Sequence, residues 1–224
     1  MQNLFIISLG GSVITPKLPD SFFLAEFRDL ILRHAKEGLR FVIYCGGGGI
    51  AREYQGVARK LNAEDNDLDW IGIYATRLNA SLLKSLFGNS ANAEIIIVPT
   101  GEITFHKPIL VAAGWKPGWS TDYVAVLSAI QLGADTIINI TNVDYLYDYD
   151  PRICKDAVPI KKISWHEFRK MLPQEWSPGL SVPFDPIASK EAEKNKIRLI
   201  ITGKDINNLD SLLGKKLFRG SIIE

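Results

Sequence analysis

Short runs of consecutive apolar residues alternate along this chain with longer stretches whose apolar positions recur every three or four residues. The first run, residues 4–9 (LFIISL), stops at Gly10-Gly11, as a strand buried on both faces does. Ser21 then opens a stretch with Phe23, Leu24, Phe27, Leu30, Ile31 and Ala35 on one helical face, which Gly38 closes. A second strand, 40–45, again runs into glycines, at 46–49. Helices are predicted over 50–61 and 67–86, and strands over 94–98 and 109–113. Downstream the pattern gives a helix at 121–132, a strand at 136–140 and a polar, tyrosine-rich loop at 144–155. Ser164 with Glu167 forms a capping box for a short helix. A loop with four prolines spans 173–186, a helix 185–194, and a last strong strand 197–202. Strands alternating with helices predict a three-layer α/β/α sandwich around a mostly parallel sheet. No linker, repeat or low-complexity segment divides the chain, so one domain over 1–224 is expected.

Composition narrows the function classes. The formal net charge is +1, which leaves no basic excess for sequence-independent nucleic-acid binding. Cys45 and Cys154 have neither metal-ligand spacing nor a disulfide framework, and Cys45 sits in an apolar run as a small buried hydrophobe. No charged n-region and apolar h-region open the chain, and no apolar run approaches the roughly 20 residues that a membrane helix needs. A cytoplasmic protein without nucleic-acid or membrane partners is the expectation.

In open α/β sheets, ligands bind beyond the carboxyl ends of the strands. Three glycine-rich junctions follow strands and precede helices here: Gly10-Gly11-Ser12, 46–49 (GGGG) and 114–121 (GWKPGWST). Glycine lets backbone N–H groups approach a ligand, and the following helix offers free N–H groups and its dipole to an anion. One such junction is ordinary turn chemistry; three at one sheet edge indicate ligands rich in phosphate. The P-loop pattern is absent, which excludes an ordinary P-loop kinase. Gly46, Gly48 and Ala51 formally meet the dinucleotide fingerprint, but the acidic residues at 65–69 open a helix rather than end a strand, against a Rossmann dehydrogenase. The loop with Thr141, Asn142, Asp144, Tyr147 and Asp150 reads equally as a solvated turn or as an adenosine site.

The motifs LGGSVIT, GGGGIAREY, DWIGIYATRLNA, KPGWSTDYVAVL, TNVDYLYDYDPR and FDPIASKEAEKNKIRLIITG follow one another in the order seen in the amino acid kinase superfamily. The chain resembles that family over nearly its whole length, and within it the archaeal-type uridylate kinases. The resemblance implies transfer of the ATP γ-phosphoryl to UMP with Mg²⁺, an acceptor lobe over about 1–130, an ATP lobe over about 131–224, and a homohexamer. It also implies residue roles. Gly10, Gly11 and Ser12 would lie against ATP phosphates with Gly48 and Arg52, while Thr141, Asn142, Tyr147 and Asp150 would hold the rest of ATP. Gly47 would approach the UMP phosphate and Asp69 the uridine ribose. Trp115, Lys116, Pro117, Gly118, Trp119, Ser120 and Thr121 would wrap the acceptor. Arg52 is the first catalytic candidate, because a guanidinium forks onto phosphate oxygens. No protein-held metal site is expected. Asp122 reads equally as a helix cap or as a functional carboxylate.

The sequence also departs from the family pattern. Ser8 occupies the position where many members carry a lysine, Gly49 another position often held by lysine, and Tyr145 the glycine of the NVDG turn. Lys17 is the expected substitute cation, ahead of Lys190 and Lys116. Two alternatives follow. Isopentenyl phosphate kinases share GGSVIT with a following lysine, yet the segment Tyr44-Cys45-Gly46 lacks their histidine, and His34, His106 and His166 lie far away in sequence. A nucleotide-binding protein resembling molybdenum storage protein would also lose cations at Ser8 and Gly49.

Overall fold

The computed structural model describes residues 3–173 and 182–224. Its strands are β1 (Leu4–Leu9), β2 (Arg40–Cys45), β3 (Ile109–Ala112), β4 (Thr136–Ile140), β5 (Leu146–Tyr147), β6 (Pro159–Ile160), β7 (Lys162–Ile163), β8 (Arg198–Thr202) and β9 (Ser221–Ile223). The helices are α1 (Gly11–Ile14), α2 (Ser21–Lys36), α3 (Gly48–Lys60), α4 (Asp65–Phe87), α5 (Thr121–Leu132), α6 (Trp165–Lys170), α7 (Pro186–Lys194) and α8 (Ile206–Leu213). Seven strands form the central sheet in the order β3-β2-β1-β4-β8-β9-β7. The first five run parallel, and β9 joins β8 antiparallel.

Alternate strand residues feed two cores, as a pleat of period two requires. On one face Ile7, Leu9, Phe41, Ile43 and Ile138 pack with α2, α4 and α8 through Phe27, Leu30, Leu83 and Leu212. On the other, Ile6, Val42, Tyr44, Ile137 and Leu199 meet α5, α6 and α7 through Val126, Phe168 and Ala188. The three-layer sandwich expected from the alternation is therefore present. Each such buried aliphatic side chain contributes about 1.5–3 kcal/mol relative to exposure.

Two expectations are corrected. Residues 94–98 form no strand: only isolated bridges join Ala91 to Ile109 and Ile96 to Ala112. Five residues on one side thus span three on the other, so no regular ladder can form, and Ile97 and Val98 stay about 40% exposed. Nor is β8 the last strand. Asp205 caps α8 through the Asn208 N–H, Leu209, Leu212 and Leu213 bury its inner face, and β9 then returns along the sheet. Most of the loop predicted over 173–186 lies outside the described residues.

The strand order reverses between β1 and β4: the chain moves from β1 to β2 and β3 on one side, then crosses to β4 and β8 on the other. The crevice beyond the carboxyl ends at that point is where such sheets bind ligands.

Candidate active site

A cleft of about 860 Å³ opens at this crevice, lined by residues from all three glycine junctions and from the loop after β4. Its floor is two interlocked glycine turns. The Gly10 N–H donates to the Ile140 carbonyl at 2.9 Å, the Gly46 N–H to Leu9 at 2.9 Å, and the Gly49 N–H to Thr15 at 2.7 Å. The backbones touch so closely that a Cβ on Gly11 would stand 2.0 Å from the Gly48 nitrogen. Gly48 also has φ +71°, which side-chain-bearing residues rarely adopt. Both turns start helices, α1 and α3, and the Gly11, Ser12, Gly47 and Gly48 N–H groups make no hydrogen bond among the described residues. Uncommitted amides, together with the positive end of α3, suit an anion.

Two cations line the cleft, Arg52 and Arg152. Arg152 is committed: its guanidinium forks onto Asp150, with Nε–Oδ1 at 2.9 Å and Nη2–Oδ2 at 2.7 Å. These bonds hold the Asp150 carboxyl down at about 2. Arg52, one turn into α3, makes no ion pair among the described residues. Lys17 is exposed and is not among the lining residues, nor are Lys116 and Lys190. Lys116 instead sits over Trp115, Nζ 4.2 Å from the ring centre.

The turn from β3 to α5 is held by α4. The Thr76 hydroxyl accepts from the Gly114 N–H at 2.8 Å, and Arg77 Nη2 donates to the Trp115 carbonyl at 2.9 Å. Asp69 Oδ2 accepts from the Gly118 N–H at 2.7 Å. Burial raises the Asp69 carboxyl against that bond, and neighbouring Asp65 adds to the rise. Trp119, Ser120 and Thr121 line the cleft; Trp115, Lys116, Pro117 and Gly118 do not. Trp115, Trp119 and Tyr123 form a stacked ladder, with centroids 6.3 and 4.4 Å apart.

Ser120 is the cap of α5, accepting from the Tyr123 N–H at 3.1 Å, so Asp122 is not that cap. The Asp122 carboxylate faces the cleft floor, where it accepts from the Ser8 hydroxyl at 2.8 Å and from the Asp185 N–H at 3.2 Å. Burial and the Asp185 carboxylate push it up to about 6. Ser8 therefore spends its hydroxyl on Asp122 rather than offering a cation.

At the other end, the Thr141 N–H donates to Thr202 at 2.8 Å and its hydroxyl to the Val143 carbonyl at 2.9 Å. The Asp144 carboxylate lies flush on Gly203, where a Cβ would meet it at 2.1 Å. Thr141, Asn142, Tyr147 and Asp150 all line the cleft. So does Tyr145, edge-on to Tyr147 at 6.3 Å, which puts an aromatic corner where a glycine was expected. Sequence alone suggests no role for Thr76, Arg77 or Asn79, whose partners at the turns lie on other elements, nor for Arg152, which pairs within its own loop with Asp150. The two sets of glycines, Asp69, Trp119, Ser120, Thr121 and the Thr141 loop are brought to one cleft; Trp115, Lys116, Pro117, Gly118 and Lys17 do not line it.

A sheet edge with two amide nests, an aromatic-lined end and a guanidinium that makes no ion pair among the described residues suits phosphate-rich ligands of nucleotide size. The model of the amino acid kinase family matches residues 3–203, and the chain belongs to that family. It is 37% identical over 221 residues to the uridylate kinase of Thermoplasma volcanium, covering 96% of this chain and 95% of that one. It is 35% identical to the uridylate kinase of Thermoplasma acidophilum over 95% of this chain and 93% of that one. Among solved structures it matches the uridylate kinase of Archaeoglobus fulgidus, with TM-score 0.84, 32% identity and full coverage of both chains.

Proposed function

We propose that this chain is a UMP kinase, which transfers the γ-phosphoryl group of ATP to UMP and releases UDP and ADP. The observation that carries it is the convergence of both amide nests and Arg52 on one cleft with room for a nucleoside on either side. Archaeal relatives named uridylate kinase, similar over almost the whole chain, support the choice of acceptor.

The chemistry suits the groups present. An oxygen of the UMP phosphate attacks the γ-phosphorus, and the bond to the β,γ-bridging oxygen breaks. The nucleophile is already an oxyanion, so no general base is required, and catalysis reduces to alignment and charge neutralisation. Gly10, Gly11 and Ser12 hold ATP phosphates, Gly47 the acceptor phosphate, and Gly48 and Arg52 the group in transit. Asp69, Trp119, Ser120 and Thr121 frame the uridine, with Trp115, Lys116, Pro117 and Gly118 shaping the turn behind them. Thr141, Asn142, Tyr147 and Asp150 frame the adenosine. In this reading residues of about 1–130 form the acceptor lobe and those of about 131–224 the donor lobe.

Among the described residues no group of three or more His, Cys, Asp or Glu side chains could hold a metal ion. Mg²⁺ would enter with ATP and would supply neutralisation of phosphate charge. With Lys17 outside the cleft, Arg52 is the cation left to serve the transferring group, and the feature that favoured isopentenyl phosphate is lost. We place the enzyme in the cytoplasm as a homo-oligomer, a homohexamer by its family resemblance; no described helix is long and apolar enough to cross a membrane.

The test is UDP formation from UMP, ATP and Mg²⁺ by the purified protein, run beside CMP, AMP and isopentenyl phosphate. UMP turnover far above the others is expected. Nucleotide binding without turnover of any acceptor, with a polyoxoanion retained in the protein, would overturn it in favour of storage.

A further inference from the structure

The two glycine turns of the cleft do not hold their shape by themselves. Asn79, in the middle of α4, is 2% exposed and aims its side chain at the second turn. Its Nδ2 donates to the Gly46 carbonyl at 2.7 Å and to the Gly47 carbonyl at 3.3 Å. Its Oδ1 accepts from the Thr15 hydroxyl at 3.1 Å. The amide orientation is unambiguous, since carbonyls only accept and must meet the NH₂. Thr15 is fully buried, and its own carbonyl takes the Gly49 N–H at 2.7 Å. One side chain thus ties the second glycine turn to the end of α1, and so to the first.

The consequence follows from peptide geometry. In a trans peptide the N–H points opposite to the C=O, and the chain has no cis bonds among the described residues. Drawing the Gly46 and Gly47 carbonyls onto Asn79 turns the N–H groups of Gly47 and Gly48 to the far side. Both residues line the cleft there, and both N–H groups are uncommitted. Glycine alone would leave these peptides free to rotate, and a rotated peptide would show an oxyanion a carbonyl oxygen instead of a donor.

The geometry points to Asn79 as a positioning residue for phosphoryl transfer: buried beneath the glycine turn, it fixes the Gly47 amide that meets the acceptor phosphate and, beside it, the Gly48 amide that meets the group in transit. The assignment rests on the UMP kinase reading, in which Gly47 faces that phosphate. Asn79 touches no substrate, so its effect falls on kcat/KM for UMP and leaves the ATP requirement unchanged.

The test uses the full chain with Asn79→Leu and Asn79→Asp. Leucine removes both donors, and kcat/KM for UMP is expected to fall at least thirtyfold with the KM for ATP within twofold of wild type. The aspartic acid can donate one hydrogen bond when protonated and none when ionised. Its kcat/KM for UMP, divided by the wild-type value at each pH, is therefore expected to fall at least tenfold from pH 6 to pH 9. Because an ionised carboxylate against two carbonyls also destabilises the fold, kcat/KM is referred to the folded fraction measured by circular dichroism at each pH, and a role in packing alone then gives no such slope. A flat ratio across that range overturns the assignment, and this decides the matter even where the leucine variant fails to fold. A leucine variant that folds and keeps kcat/KM within threefold of wild type overturns it too. Absence of UMP turnover by the wild-type protein would instead remove the function reading, and this assignment with it.

Discussion

At the scale of single residues, Arg52 and Asp69 separate chemistry from binding. Arg52 reaches the cleft from the first turns of α3 without an acidic partner among the described residues, so its charge is available to a phosphoryl group as it transfers. Arg52→Ala is expected to lower kcat by about 10²–10³, the size of effect seen when one preorganised donor to a developing charge is removed. The UMP KM should change much less. Asp69 is different, because its Oδ2 already accepts the Gly118 N–H and holds the acceptor turn against α4. Asp69→Ala removes both that tie and the proposed ribose partner, so the UMP KM should rise at least tenfold while kcat stays closer to wild type. Steady-state kinetics on both variants checks the pair, and equal, mild changes in both parameters would sink the division of roles.

At the scale of elements, Asp122 joins three of them: it sits in the first turn of α5, takes the hydroxyl of Ser8 at the end of β1 and accepts the N–H of Asp185, the cap of α7. No cation pairs with it among the described residues, and burial with the Asp185 carboxylate pushes its carboxyl from 3.8 to about 6. The folded state therefore binds a proton that the unfolded chain has already lost between those values. The stability which that proton contributes is complete below about pH 4 and is lost as the pH rises through 6. Asp122→Asn keeps one acceptor for the Asp185 N–H and can donate to Ser8, without the buried charge. The variant is expected to gain on the order of 1–2 kcal/mol over wild type at pH 7.5, less than the full shift because the group faces water in the cleft, and little at pH 4.5. Urea denaturation at the two pH values measures it; an equal effect at both would refute the electrostatic account. The same residue shows where sequence reading stops. Glycine runs at 10–11 and 46–49 are visible because few residues can make those turns. The role of Asp122 depends on Ser8 and Asp185, 114 and 63 positions away, and no local pattern joins them. Asn79 was hidden likewise within an ordinary helical period. Lys17 is the complementary case: it is near Gly11 in sequence, but after α1 it lies exposed and does not line the cleft.

At the scale of the whole molecule, the layered sheet was legible because strands buried on both faces announce themselves as unbroken apolar runs. The additions at its far edge, α8 and the three-residue β9, were too short to announce themselves. The exterior carries a further pattern. On α3, Tyr54 and Val57 stand at i and i+3, exposed by 67% and 60%, and Leu61, the cap that ends the helix, follows at i+7, exposed by 76%. On α4, which packs beside it, Tyr74 and Leu78 are exposed by 62% and 57%. Scattered apolar residues on a surface need no explanation, but exposed apolar side chains recurring along two helices packed side by side suit an interface. A two-fold axis through such a patch would set α3 against its own copy, each stripe covering the other. The proposed homo-oligomer would use this face, and the consequence reaches the site: α3 begins at Gly48 and carries Arg52, and α4 carries Asp69 and Asn79. Val57→Glu, one turn beyond Arg52 and outside the cleft, is expected to leave the fold intact but place a charge in the centre of the patch. Sedimentation velocity should then show a smaller species than wild type, with UMP turnover reduced because both site-bearing helices lose their support. A variant that sediments as the wild type does would remove this face from the assembly and require the oligomer to be built through another.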